Sequence, residues 1–272
     1  MRVKINEISL KRIYNAISRR FLNLPYKVSW NFSKRGIKNR NNLTAFKDIH
    51  KGKRCYLVAN GPSLKQMNLS FLKNSISFGL NRIYLAYDNM GFKNDYLVCV
   101  NGTVLNQFAN EIQLLKITKF LNWENKKYFK QENSINYVYK SFAGRNFGND
   151  ISKSINPAAT VTYAALQIIY YMGFSEVIII GMDHNFESKN KNRPNELELR
   201  TEEVDNNHFH PNYFPKGSKW ETPDLISSEY FYKIARKKFE NDGRKIFDCT
   251  IKGKCQVFEK RNISDFQNSV QN

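Results

Sequence analysis

At 272 residues, with 41% apolar and 14% aromatic content, the chain has material for one large α/β domain or two small ones, which excludes wholesale disorder. Its net charge of +19 is concentrated at one end: residues 1–54 carry 15 Lys/Arg against Glu7 and Asp48, so the basicity is a property of an N-terminal segment and not of the fold. No run approaches the ~20 apolar residues of a membrane span, and no apolar signal-peptide core precedes a small-residue cleavage site.

In chain order, Val3, Ile5, Ile8, Leu10, Ile13, Ile17, Phe21 and Leu24 recur at mostly three- and four-residue steps with Arg and Lys between them, which predicts a basic amphipathic helix ending near Pro25. It is either an interfacial membrane helix, followed by the aromatics Tyr26, Trp30 and Phe32, or a helix docked on its own domain or a partner subunit. Acidic lipid attracts such a segment by about 1 kcal/mol per basic residue near the surface. Nucleic acid would attract it too, so charge alone does not choose. Residues 33–47 are polar, basic and Asn-rich, as in a linker.

The compact domain is expected to start near Lys53. Short apolar runs at 54–59, 76–80, 96–100, 135–139, 176–183 and 245–249 read as strands, and helices are expected at about 158–172, closed by Gly173, and 224–241. Residues 187–223 are polar and irregular, long enough for a lid. The implied organisation is a basic segment and linker (1–46), a nucleotide-binding catalytic domain (47–262, lid at about 187–223) and a tail (263–272). Continuously apolar strands alternating with helices predict an α/β, Rossmann-like, mostly parallel sheet with helices on both faces and a small lid region. Cys55, Cys99, Cys249 and Cys255 form no CxxC pair and read as buried free thiols, suited to a reducing cytoplasm.

Open parallel sheets bind ligands at the carboxyl ends of their strands. There the chain places Asn60-Gly61, Asn81, Asn101-Gly102 and Gly181-Met182-Asp183-His184, a neutral, hydrogen-bonding set suited to a nucleotide. In Asn60-Gly61-Pro62-Ser63, Gly61 permits close approach, Pro62 sets the turn and Ser63 can cap a following helix, so the loop amides are expected to face a phosphate. It is neither a Walker A nor a GxGxxG loop. Thr160 opens the central helix, where it either meets the ligand or caps. His208 and His210 lie two residues apart in the lid; that spacing is a weak metal signal, and a general base is the preferred role.

The stretches Lys51-Gly52-Lys53-Arg54-Cys55, Asn60-Gly61-Pro62-Ser63-Leu64, Phe78-Gly79-Leu80-Asn81-Arg82-Ile83-Tyr84, Thr160-Val161-Thr162-Tyr163, Gly181-Met182-Asp183-His184-Asn185-Phe186 and His208-Phe209-His210-Pro211-Asn212-Tyr213-Phe214 follow one another as in a known family. Over about residues 45–260 the chain resembles the 6-hydroxymethylpterin diphosphokinase MptE-like proteins, in turn similar to bacterial sialyltransferases and flagellin nonulosonate transferases. The resemblance implies a metal-independent glycosyltransferase of surface-polysaccharide synthesis, with no cofactor and a CMP-activated nonulosonic acid or Kdo-type sugar as donor substrate. The acceptor would be a glycan or lipid-linked hydroxyl. Asn60, Gly61 and Ser63 would meet the donor phosphate and ribose, with Asn81, Asn101 and Thr160 approaching it. His210 or His208 would be the base and Tyr213 would steady the departing phosphate. Where relatives carry a histidine after the Trp of a Lys-Gly-x-x-Trp stretch, this chain has Glu221 after Trp220, so Glu221 joins the candidate bases. The enzyme would be cytoplasmic and peripheral at the inner membrane face, touching anionic lipid through its N-terminus, with nucleic acid not an expected partner. Two alternatives stand beside this: a Mg-dependent pterin diphosphokinase, supported by one strand-end carboxylate, Asp183, and a non-catalytic membrane-associated scaffold.

Overall fold

The computed structural model describes residues 23–141, 146–158, 160–186 and 197–267. The amphipathic pattern at 3–24 therefore lies almost wholly outside the described residues, as do 187–196 of the lid and the end of the tail.

The chain opens with helices α1 (23–32) and α2 (Lys34–Thr44), then β1 (Arg54–Val58), β2 (Ser77–Leu80), α3 (Tyr87–Met90) and β3 (Tyr96–Cys99). Next come α4 (Gly102–Gln107), α5 (Ala109–Leu114), β4 (Thr118–Asn122), β5 (Ile135–Val138), α6 (Val161–Tyr171) and β6 (Glu176–Ile180). The last elements are β7 (Leu197–Leu199), β8 (Lys219–Glu221), α7 (Leu225–Asn241), β9 (Lys245–Asp248), β10 (Glu259–Lys260) and α8 (Ser264–Gln267). Eight strands form one sheet in the order β10-β9-β6-β1-β2-β3-β4-β5, every neighbouring pair parallel. The fold is Rossmann-like α/β, with helices packed around the sheet.

The physical reasons are local. Val177, Ile178, Ile179 and Ile180 are fully buried in β6, and β-branched side chains favour the pleated backbone. In α6 nine of eleven residues are buried, because the helix packs on β2 and β3 on one side and α7 on another. Thr160 caps it, accepting from Thr162 N, and Gly173, at φ +90°, takes the left-handed position just past its end. The backbone of residues 48–52 then covers the open carbonyls of that end: Asp48, His50 and Gly52 donate to Tyr171, Met172 and Gly173.

Helix α1 runs through Pro25 to residue 32, where the sequence predicted an end, and two further features differ from the sequence expectation. Strand β4 was hidden by Lys119, which interrupts its apolar run; Lys119 is completely buried, its ammonium donating to Leu115 O at 2.6 Å and lying 3.8 Å from Glu132. Residues 33–47 are for the most part not a linker, since Lys34–Thr44 form α2. Ser33 caps α2 by accepting from Gly36 N, and Gly36, Asn39 and Leu43 are buried on one face of the helix. Asn39 meets the edge strand β5 directly, donating to Tyr137 O at 2.7 Å and accepting from Tyr137 N at 2.8 Å. Ahead of it Trp30, 1% exposed, packs against Trp123 and Tyr139 and donates to Lys153 O. The hydrophilic composition concealed a helix whose bond to the sheet is an amide side chain and not an apolar stripe. Asn39→Ala leaves both Tyr137 backbone groups unpaired in a buried place, so it is expected to cost about 2–3 kcal/mol; urea unfolding measures it, and a change typical of a surface linker residue would contradict the assignment.

The four cysteines are buried free thiols. Among the described residues no helix is long and apolar enough to cross a membrane.

Candidate functional site

The chain runs from β1 outward to β5, then returns to place β6 on the other side of β1. Strand order therefore reverses between β1 and β6, and the crevice beyond their carboxyl ends is where open sheets bind ligands. A cavity of about 550 Å³ lies there, within the range of small-molecule sites. Its walls bring together Asn60, Gly61, Asn81, Asn101, Gly102, Thr160, Asp183 and His184 from the sheet side and His208, Tyr213 and Glu221 from the lid. Pro62, Ser63 and His210 are not among its lining residues.

The asparagines differ in what they have left to offer. Asn60 Nδ2 donates to Leu80 O at 3.0 Å, which fixes the amide and leaves its buried Oδ1 without a partner. Asn81, in the left-handed region at φ +46°, also has a buried, unpartnered Oδ1. Both oxygens are enclosed, each an acceptor left without a donor at adjacent strand ends. Asn101 instead caps α4 by accepting from Val104 N, and its Nδ2 lies 3.4 Å from Glu221. Lys140 also lines the cavity and pairs with Glu124 at 3.6 Å.

The Asn60-Gly61-Pro62-Ser63 loop does not present its amides to the cavity as expected. Ser63 N and Oγ donate to the two carboxylate oxygens of Asp183 at 3.0 and 2.7 Å, and Ser63 caps nothing; the short 3-10 turn Pro62–Gln66 starts from Gly61 without a side-chain cap. Burial raises the Asp183 carboxyl, opposed by the Ser63 hydrogen bonds. Gly61 is needed for Asp183, since an added Cβ would lie 1.8 Å from Asp183 Oδ2 and 2.6 Å from Gly181 O. A carboxylate thus occupies the place assigned to phosphate. Thr160 caps α6 and bonds Tyr232 Oη at 3.2 Å.

The lid brings the titratable groups. His208 Nδ1 meets the fully buried carboxylate of Asp205 at 2.9 Å, and the ring stacks on Tyr213 with centroids 3.9 Å apart and planes 5° from parallel. Nε2 is the nitrogen left for the cavity. Asp205 is held by further donors, Asn207 N and Phe214 N. Burial alone would raise its carboxyl, but the bond to His208 and the neighbouring charges hold it below the usual carboxylate value. The Asp205–His208 pair is an oriented imidazole of the kind general-base chemistry requires. Asp205 was missed in the sequence because an acidic residue three before a histidine in an irregular loop carries no periodic signal.

The other candidates take different places. His210 accepts from Asn212 N at 3.1 Å outside the cavity; partial burial and the nearby Arg82 and Lys65 keep its pKa below the ordinary imidazole value. Tyr213 is 1% exposed, its hydroxyl 3.4 Å from Arg82 N, so it supports the His208 ring from below. Glu221 accepts from Thr103 Oγ1 at 2.7 Å and fastens β8 to the start of α4, while at the end of that helix Gln107 and Lys219 add two bonds of 2.7 Å. Arg82 clamps the other side of the lid: it donates to the carbonyls of Asn212 and Tyr213, pairs with Glu111 at 2.9 Å and sits 3.6 Å over the Phe108 ring. Phe209 N donates to Asn60 O at 2.9 Å, joining lid to strand end.

His184, in the left-handed region at φ +55°, is buried within 3.2 Å of Glu229, though without hydrogen-bond geometry at Nε2. Burial depresses its pKa below 6.5, outweighing the opposing pull of Glu229. The folded protein therefore binds fewer protons here than the unfolded chain, and the stability present above pH 6.5 is lost as the pH falls through the folded value. Thermal melts of wild type and His184→Gln from pH 7.5 down to about 5 are expected to converge on acidification; parallel curves would count against it.

A model of the family described as 6-hydroxymethylpterin diphosphokinase MptE-like matches residues 33–189, more than half of the chain. The chain belongs to the MptE-like family. In this MptE-like chain the match begins where α2 begins and takes in Asn60, Asn81, Asn101, Thr160, Asp183 and His184, but ends before His208 and Glu221. No curated protein matches the chain. Among solved structures it is similar to the MAf glycosyltransferase from Magnetospirillum magneticum AMB-1, with 12% identity and a TM-score of 0.49 over 86% of this chain. It spans only 38% of that protein's length. It is also similar to the sialyltransferase CstII from Campylobacter jejuni, solved with cytidine-5'-monophosphate, at 12% identity and a TM-score of 0.34 over 77% of this chain and 85% of that one.

Proposed function

We propose that this MptE-like protein is a glycosyltransferase that moves a nonulosonic acid or Kdo-type sugar from a CMP donor to a glycan or lipid-linked hydroxyl. One observation carries the reading: the asparagines at the ends of β1 and β2 and an Asp-oriented histidine line a single cavity at the switch point. Asn60 and Asn81, which line the cavity, flank the donor. His208 Nε2 takes the proton of the acceptor hydroxyl while its oxygen bonds the anomeric carbon; the bond from that carbon to the phosphate oxygen breaks, and CMP leaves with the electron pair. Asp205 keeps Nδ1 protonated and steadies the imidazolium. We place the enzyme in the cytoplasm, peripheral at the inner membrane face. Calorimetry with CMP, UDP and ADP tests the donor: preference for CMP is expected, and tighter binding of either other nucleotide overturns it.

The pterin diphosphokinase reading draws on the family description and on Asp183. It requires Mg²⁺ between carboxylates and a triphosphate, whereas the Asp183 carboxylate is engaged by Ser63. Metal-dependent release of AMP from ATP in the presence of a pterin alcohol would favour it over sugar transfer.

A further inference from the structure

Helix α1 has two faces of opposite fate. Tyr26 and Trp30 turn inward: Trp30 is 1% exposed and Tyr26, half-buried, packs against the core. Leu24, Val28 and Phe32, at i, i+4 and i+8, point the other way and are 50%, 48% and 77% exposed. These three continue the sequence spacing Ile13, Ile17, Phe21 without a break. Lys27 on the same helix and Lys34 and Lys38 on the α2 that follows it are exposed, and Asp48 is the one acidic residue between residues 23 and 54.

We propose that Leu24, Val28 and Phe32, with Lys27, Lys34 and Lys38, form a face that seats on an anionic lipid bilayer, while Trp30 stays in the domain and fixes the domain's orientation to that surface. The inference specifies the surface behind the peripheral placement above and does not depend on the donor. Apolar side chains alternating with cations match the boundary between headgroups and acyl chains. Nucleic acid would recruit the lysines but has no use for three exposed apolar side chains, and a second copy would oppose like charge to like charge.

Flotation with phosphatidylcholine vesicles, with and without phosphatidylglycerol, tests it on the full chain. Binding is expected only with the anionic lipid, to fall with salt, and to drop by about tenfold or more in Val28→Ser/Phe32→Ser, since each side chain withdrawn from water contributes substantially to partition. The charge variant Lys27→Glu/Lys34→Glu/Lys38→Glu is expected to lose binding as well. Both variants change exposed positions, so melting temperatures close to wild type separate lost contact from lost fold. Equal binding to neutral vesicles, an apolar variant that binds like wild type, or a dimer by light scattering that the apolar variant dissolves would overturn the proposal. So would competition by duplex DNA that depends on the lysines while Val28→Ser/Phe32→Ser changes nothing. Brominated acyl chains report on the fixed orientation: all three tryptophans are buried, so their emission is expected to be unquenched, and quenching would show Trp30 leaving the domain.

Discussion

His208→Asn is expected to lower the turnover of sugar transfer roughly 10²- to 10⁴-fold, the range that a positioned general base contributes. Nucleotide affinity in the same variant should stay within a few-fold of wild type, because the proposed function gives the donor to the strand ends of Asn60 and Asn81 and only the proton to His208. Asp205→Asn should reduce turnover too, but with a loss of stability, since Asp205 also accepts from Asn207 N and Phe214 N and so holds the lid. His210→Asn is the control: His210 lies outside the cavity, and its replacement should leave turnover nearly unchanged. Steady-state rates with a CMP-sugar donor, alongside calorimetry with CMP, make the comparison. A large loss in His210→Asn with an active His208→Asn would reverse the assignment, and loss only in Glu221→Gln would move the base to the lid strand.

Gly61→Ala should be among the most destabilising substitutions in the domain. Its Cβ would lie 1.8 Å from Asp183 Oδ2, 2.5 Å from Asp183 Cγ and 2.6 Å from Gly181 O. The carboxylate can swing aside only by abandoning Ser63, and the Gly181 carbonyl, which accepts from Gly61 N at 2.8 Å, cannot move without parting β1 from β6. A cost of about 3 kcal/mol is expected, or a fall in melting temperature of about 6–12 °C for a chain of this size. Adding Asp183→Ala should recover part of the loss and no more, because the backbone contact remains; differential scanning calorimetry of the single and double variants measures that coupling. A melting temperature within a degree or two of wild type for Gly61→Ala would refute the packing argument.

The strand-end asparagines illustrate what residue order can and cannot convey. Their positions after apolar runs place them on one rim of a parallel sheet, and they do gather there. Which of their atoms is free is a matter of neighbours far away in the chain: Leu80 O fixes Asn60, and Val104 N draws Asn101 into a helix cap. The same holds for the loop at Ser63, whose amide was expected to meet a phosphate and meets Asp183, 120 residues later. Strand β4 was concealed by a lysine that burial has accommodated through Leu115 O, and α2 by a polar face that binds the sheet through one amide. In each case a buried polar group was satisfied by a partner remote in sequence, which local patterning does not reveal.

The sequence by itself determined the α/β class, most of the core strands, the two long helices and which strand-end residues meet at one cavity, because apolar periodicity and glycine or asparagine punctuation act over a few residues at a time. Only the tertiary structure decided that Asp205 orients His208, that Asp183 fills the Ser63 loop, that Arg82 and Glu221 fasten the lid, and which face of α1 remains outside. Those are contacts between segments that meet only when the sheet is assembled, and their energies depend on burial and geometry that no single stretch of chain carries.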